Sequence, residues 1–196
     1  GTIGISATPI TFKSGIKSPV YIDNRKLSFH PEHWRTIIVA FQRVLEAQGT
    51  VFDVIAGIEA AGIPHSSALA YTMRRPSVWV RKQPKEHGLL RRVEGGDVSG
   101  LRVVLVEDQV TTGGSSLAGV AALRDAGAIV EDCLSITSYA FPEALEAFTE
   151  AGVRLHTLTT FPIMLAAAAK LGKFDATQIE TVEAWLRNPH DWSERH

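Results

Sequence analysis

Three stretches of this chain gather side chains that could hold a polyanion. The densest runs Glu107, Asp108, Gln109, Val110, Thr111, Thr112, Gly113, Gly114, Ser115, Ser116. Carboxylates accept hydrogen bonds, so Glu107 and Asp108 cannot hold a phosphate directly, but they suit sugar hydroxyls or a hydrated magnesium ion. The glycines let the backbone turn tightly and approach a ligand. Thr111, Thr112, Ser115 and Ser116 add hydroxyl donors. Amides at the start of the following helix have no intrahelical acceptor, and the helix dipole favours an anion there. Acids for a sugar beside a cradle for a phosphate suggest a phosphorylated sugar; the plain alternative is a strand-to-helix turn with ordinary caps.

A second turn, Gly57-Ile58-Glu59-Ala60-Ala61-Gly62, again sets small residues between a strand and a helix, where backbone amides can form an anion nest. The third stretch is basic: residues 81–92 hold five Lys or Arg against one Glu. It reads Arg81-Lys82-Gln83-Pro84-Lys85-Glu86-His87-Gly88 and ends Arg91-Arg92. A solvated surface loop is the plain reading. Because it leads into the acid-bearing strand, it also suits a flap closing over a polyanionic substrate. Lys13, Lys17 and Arg25, with Tyr21, form a smaller positive face, for which solubility is the competing account.

The elements that must position these residues follow from local patterns. Val103 to Val106 is too short for a helix, favours a strand by its β-branched residues and lacks alternation. That predicts a parallel strand covered on both faces, followed by a helix from Leu117 that stops at Gly127. Val51 to Ala56 predicts the strand before Gly57, with a helix through about Met73 and a third strand from Ser77 to Val80. Upstream, Phe12 to Arg25 predicts a strand, a Ser14-Gly15 turn and a second strand from Val20 to Ile22. Pro31 to Glu46 predicts a helix with a core stripe of Trp34, Ile37, Ile38, Phe41 and Leu45. Downstream come a strand over 128–137, a helix from Pro142 to Ala151, a strand from Arg154 to Thr159 and a helix from Phe161 to Leu171. Asp175 or Thr177 caps a last helix, with Ile179, Val182 and Leu186 facing inward. Strand–helix alternation with short connections predicts right-handed βαβ units around a parallel sheet, in one domain spanning 1–196 with a mobile basic loop at about 82–97.

Composition narrows the classes. At 196 residues one core suffices. An apolar fraction of 45%, a charged fraction of 21% and net charge -1 describe a soluble globular chain rather than a dedicated nucleic-acid binder. Cys133 alone gives no disulfide framework or cysteine metal site, and reads as a small buried filler in its strand. No apolar run reaches the length of a membrane span and no secretory pattern opens the chain, which makes the cytoplasm the expected compartment. Residues 1–11 carry no charge and enter structure at once, suggesting that the natural chain begins further upstream.

The 103–116 stretch closely resembles the phosphoribosyl pyrophosphate signature of the type I phosphoribosyltransferases: an apolar strand, two acids, two further residues, then Thr-Thr-Gly-Gly-Ser. The Arg81 to Gly88 block resembles, more narrowly, the loop of the orotate phosphoribosyltransferases. With Phe12 to Arg25 and Val54 to His65, the resemblance spans nearly the whole chain. It implies an α/β, three-layer Rossmann-like fold with a mostly parallel central sheet and an N-terminal hood-like hairpin. It also implies transfer of a phosphoribosyl group from phosphoribosyl pyrophosphate to orotate in pyrimidine biosynthesis, with magnesium (Mg2+), by a cytoplasmic homodimer whose protomers share active sites. Neither a nucleic acid nor a membrane is an expected partner.

By the same resemblance, Arg81, Lys82, Lys85 and His87 are the catalytic residues of the loop. Thr111, Thr112, Gly113, Gly114 and Ser115, with Val110 beside them, hold the 5'-phosphate; Glu107 and Asp108 take the ribose hydroxyls. Gly57, Ile58 and Glu59 lie by the pyrophosphate. Lys13 meets the substrate, Tyr21 and Ile22 flank the orotate base, and Thr111 serves both substrates. No protein-only metal site is implied. The sequence departs from the family in three places. Glu59 replaces a threonine or other small neutral residue, and a carboxylate there is costly unless it turns away or shares magnesium. Thr137-Ser138-Tyr139 offers no arginine for the orotate carboxylate. The helix that precedes Phe12 in the family is missing or shortened. Two other readings compete: a purine or other base phosphoribosyltransferase, and a non-catalytic regulator that senses phosphoribosyl pyrophosphate and binds nucleic acid.

Overall fold

The computed structural model describes residues 3–12, 14–83 and 92–196, with Ala7 described by its backbone alone. The chain opens with strands β1 (Ile3–Thr11) and β2 (Lys17–Ile22), a 3-10 helix (Asn24–Phe29) and α1 (Pro31–Ala47). There follow β3 (Val54–Ile58), α2 (Gly62–Met73), β4 (Ser77–Val80), β5 (Val93–Glu94), β6 (Arg102–Val110) and α3 (Gly114–Asp125). The last part holds β7 (Ile129–Ser138), α4 (Pro142–Glu150), β8 (Arg154–Thr160), α5 (Phe161–Lys170), α6 (Ala176–Arg187) and α7 (Pro189–Arg195). These elements form two compact units, Gly1–Lys26 with Phe161–His196, and Leu27–Thr160.

In the larger unit six strands make one sheet in the order β5-β4-β3-β6-β7-β8. All neighbours are parallel except the short antiparallel pair β4–β5. Val103, Val104, Leu105 and Val106 are all buried, as a strand covered on both faces requires. Ile38, Phe41 and Leu45 of α1 pack with Leu69 and Ala70 of α2 on one face of the sheet. Val120 and Leu123 of α3 pack with Phe148 of α4 on the other face. Burying a side chain of this size stabilises by about 1.5–3 kcal/mol. This is a three-layer α/β architecture. The connection from β3 through α2 leads outward to β4, and the one from β6 through α3 leads the opposite way to β7. Right-handed crossovers in opposite directions must put their helices on opposite faces.

In the smaller unit β1 and β2 form an antiparallel pair whose register shifts between Ile5 and Ile10. Residues 3–11, ahead of the predicted turn, are thus strand. Helices α6 and α7 hold this pair: Trp185 Nε1 donates to the Lys17 carbonyl at 2.9 Å, and the Lys17 amide donates to Ser193 Oγ at 2.8 Å. Asp175, not Thr177, is the cap of α6, its side chain accepting from the Gln178 amide at 2.8 Å while the Gln178 side chain accepts from the Asp175 amide. Val182 faces inward as predicted; the other fully buried residue of α6 is Trp185, beyond the predicted set.

Candidate active site

The two predicted turns meet at one place on the sheet. Strands β3 and β6 are parallel neighbours, with Gly57 paired to Val106, so Ile58 and Glu59 leave one strand end beside Glu107 and Asp108. Their helices depart in opposite directions, making this the switch point where open α/β sheets bind ligands. Gly57 is required by close approach: a Cβ there would overlap Ser66 Oγ of α2. Gly113 is required by conformation, with φ +84.

The turn after the acid pair is tighter than its sequence suggests. Strand β6 runs through both acids to Val110, leaving Thr111, Thr112 and Gly113 as the turn. Helix α3 then begins at Gly114 instead of Leu117, because the Leu117 amide already bonds the Gly113 carbonyl at 2.9 Å. No side chain caps this helix start or that of α2. Gly114 and Ser115 are exposed, Thr111 and Thr112 half-buried and Ser116 buried. Uncapped amides with adjacent hydroxyls can take an anion.

Glu107 is buried and Asp108 half-buried. Burial first, then the Asp108 charge, push the Glu107 carboxyl well above the usual carboxylate range. Its Oε1 accepts from the Asp108 amide at 3.2 Å. Among the described residues no three His, Cys, Asp or Glu side chains gather into a metal cage. Glu107 and Asp108 are two adjacent oxygen donors, which suits magnesium that keeps phosphate and water among its ligands.

At the base of the basic segment, the Arg81 amide donates to the Arg92 carbonyl at 2.8 Å, and Arg92 Nε donates to the Arg81 carbonyl at 3.0 Å. Arg81 also reaches Glu94, with an N···O distance of 3.7 Å. The Lys82 side chain is exposed. Lys85 and His87 lie outside the described residues, as do the remainder of 84–91 and Lys13. Glu59 is half-buried and its Oε2 accepts from the Lys82 backbone amide at 3.0 Å.

In the smaller unit, Tyr21 and Ile22 end β2, Tyr21 being exposed and Ile22 half-buried. The Tyr21 ring lies across from Gly4 on β1, where a Cβ would overlap it. Tyr139, in the stretch Thr137-Ser138-Tyr139 that holds no arginine, is buried and stacks on Phe141 with centroids 5.6 Å apart. Sequence reasoning also left His65 without a role. It is wholly buried, its Nδ1 accepts from Trp34 Nε1 at 3.0 Å, and burial lowers its pKa to about 4. A neutral imidazole bonded to Trp34 fixes α2 against α1, a pairing that spacing alone does not reveal.

A family model described as the phosphoribosyl transferase domain matches residues 28–141, which contain both turns and the basic segment. Orotate phosphoribosyltransferase of Agrobacterium fabrum is 42% identical over 195 residues, covering 97% of this chain and 84% of that protein. The enzyme of the same name from Coxiella burnetii is 38% identical over 184 residues, covering 94% of this chain and 88% of its own. The crystal structure of orotate phosphoribosyltransferase from Aeropyrum pernix superposes with a TM-score of 0.74 at 29% identity, over 87% of this chain and 94% of that one. The strand order, the uncapped turn after the acid pair and these likenesses agree: the chain belongs to the phosphoribosyltransferase family, among its orotate phosphoribosyltransferases.

Proposed function

We propose that this protein transfers the phosphoribosyl group of phosphoribosyl pyrophosphate to orotate, giving orotidine 5'-monophosphate and pyrophosphate. The observation that carries the reading is the switch point, where an acid pair for a sugar, an uncapped helix for its phosphate and a second turn converge. Thr111, Thr112, Gly113, Gly114 and Ser115 hold the 5'-phosphate, Glu107 and Asp108 the ribose hydroxyls, and Gly57, Ile58 and Glu59 border the pyrophosphate. The residues proposed to meet the base are Lys13, Tyr21, Ile22 and Thr111.

In the reaction the bond from ribose C1 to the pyrophosphate oxygen breaks and its electron pair leaves with pyrophosphate. Positive character grows on the sugar, orotate N1 donates the pair that forms the new bond, and the proton N1 carried passes to solvent, balancing the one given to pyrophosphate. Arg81, Lys82 and Lys85 offset the charge growing on the leaving group, and His87 donates a proton to a pyrophosphate oxygen. Glu107 and Asp108 would hold magnesium, which would supply further positive charge when bound. The working form proposed is a cytoplasmic homodimer in which the basic loop of one protomer serves the partner's site.

The test is a steady-state assay with phosphoribosyl pyrophosphate and magnesium, offering orotate beside adenine, guanine, hypoxanthine and uracil. Consumption of orotate alone, abolished by a chelator and restored by magnesium, is expected. Turnover of a purine with orotate untouched would overturn the assignment of the base. Mixed dimers of a Lys85→Ala chain and an Asp108→Asn chain should recover activity; no recovery from stable mixed dimers would refute the shared site.

A further inference from the structure

We propose that Glu59 is a positioning residue: its carboxylate fixes the stem of the basic segment and acts on the reaction through Arg81 and Lys82. The proposal rests on the phosphoribosyl-transfer reading above. Four hydrogen bonds carry it. The Glu59 amide donates to the Val80 carbonyl at 2.9 Å, joining the turn after β3 to the end of β4. The Glu59 side chain accepts from the Lys82 amide at 3.0 Å, on the residue pair that opens the segment. At the other end, Arg92 donates to the Arg81 carbonyl at 3.0 Å and, through Nη1, to the Ala118 carbonyl of α3 at 3.2 Å.

The start of the segment is therefore anchored to the turn expected to border pyrophosphate, and its end to the helix that carries the phosphate turn. A carboxylate accepting from an amide makes a charge-assisted bond, stronger than a neutral pair. Threonine at this position is two bonds shorter and carries a neutral hydroxyl in place of the carboxylate. The bond also gives a carboxylate beside a pyrophosphate site a use other than metal binding: one oxygen turns to the chain itself. The catalytic advantage of such a tie is geometric, since small displacements of a charge-stabilising group are costly to turnover.

The experiment compares wild type with Glu59→Ala, Glu59→Thr and Glu59→Gln. Hydrogen exchange of the Lys82 amide is followed without substrate, and kcat, the KM for phosphoribosyl pyrophosphate and the magnesium requirement are then measured. In the Ala and Thr variants, exchange at Lys82 should quicken by about 10-fold and kcat fall by about 10- to 30-fold, the scale of one lost charge-assisted bond. The KM should move by less than about threefold, because the bond holds protein to protein and not to substrate. Gln, whose amide oxygen still accepts, should recover most of both losses. Unchanged exchange at Lys82 would overturn the proposal, as would a Gln variant as damaged as Ala with a raised magnesium requirement, which would make Glu59 a metal ligand. The exchange comparison needs no substrate, so it tests the tie even if wild type leaves orotate untouched and the base assignment fails; kinetics would then use whichever base is consumed.

Discussion

Glu107 on β6 and Asp132 on β7 lie on adjacent strands and are almost equally buried, at 6% and 4% exposure. Asp132 is answered. Arg154 donates to it through Nε at 2.9 Å and Nη2 at 2.7 Å, and His156 Nε2 lies 2.7 Å from the same carboxylate. Burial alone would raise the Asp132 carboxyl, but the bonds from Arg154 and His156 outweigh it and hold it below the usual range. Among the described residues Glu107 has no ion pair, and its neighbour is another acid. Asp132 pairs with Arg154 near the start of β8, whereas Glu107 lies towards the carboxyl end of β6 beside the turns. A buried acid with its cations in place serves the fold. One left against a second acid at a strand end is costly to the free protein and is suited to a ligand that brings the missing donors.

The largest effect expected from this contrast is on binding. Asp108→Asn should weaken phosphoribosyl pyrophosphate by about 10- to 100-fold in calorimetry, the scale of one or two charge-assisted bonds, with Tm little changed. Unaltered affinity would make the acid pair structural and dissolve the distinction from Asp132.

Asp132→Asn should do the reverse. It should cost about 2 kcal/mol, toward the lower end for a buried pair because Arg154 stays largely solvated, and lower Tm by about 4–8 °C. Turnover at 25 °C should stay within about twofold. Because the Asp132 pKa is depressed, its contribution is present above the ordinary carboxylate pKa and is lost as pH falls through the depressed value. Thermal melts of wild type and variant should therefore converge in acid. A constant difference down to low pH would show that packing, not charge, holds this corner.

The smallest effect has the opposite sign. Glu107→Gln removes an ionisation that burial opposes, and should raise Tm of the free protein by about 2–4 °C while weakening substrate binding. The raised pKa means that wild type loses stability relative to the variant as pH rises from the ordinary carboxylate value toward the elevated one. A lowered Tm at neutral pH would mean that the ionised carboxylate stabilises the free fold, as Asp132 does.

Much of the architecture was legible because it is written in short-range patterns. The unbroken run Val103 to Val106 specified a doubly covered strand, Pro31 and the stripe through Leu45 specified a helix, and Cys133 read as the buried filler it is. Boundaries failed where two local readings were equally good. Thr177 with Glu180 had capping-box spacing as sound as that of Asp175 with Gln178, and only the folded chain chose between them. The strand after α1 begins at Val54, leaving Val51 exposed, because pairing with β6 starts at Val103. Strand β5 has two residues and no period to detect; it exists through its antiparallel pairing with β4.

The sequence by itself determined the chemistry on offer: two acids, small hydroxyl-bearing residues and a basic segment, in an order that specifies strand, turn and helix. Those properties reside in residue type and in the backbone periods of single elements. Only the tertiary structure decided that β3 and β6 are neighbours, that Glu59 turns to the Lys82 amide, and that Asp132 finds cations while Glu107 meets an acid. Partners of that kind come from strand order and from residues tens of positions apart, and burial sets the strength of each charge once the sheet has closed around it.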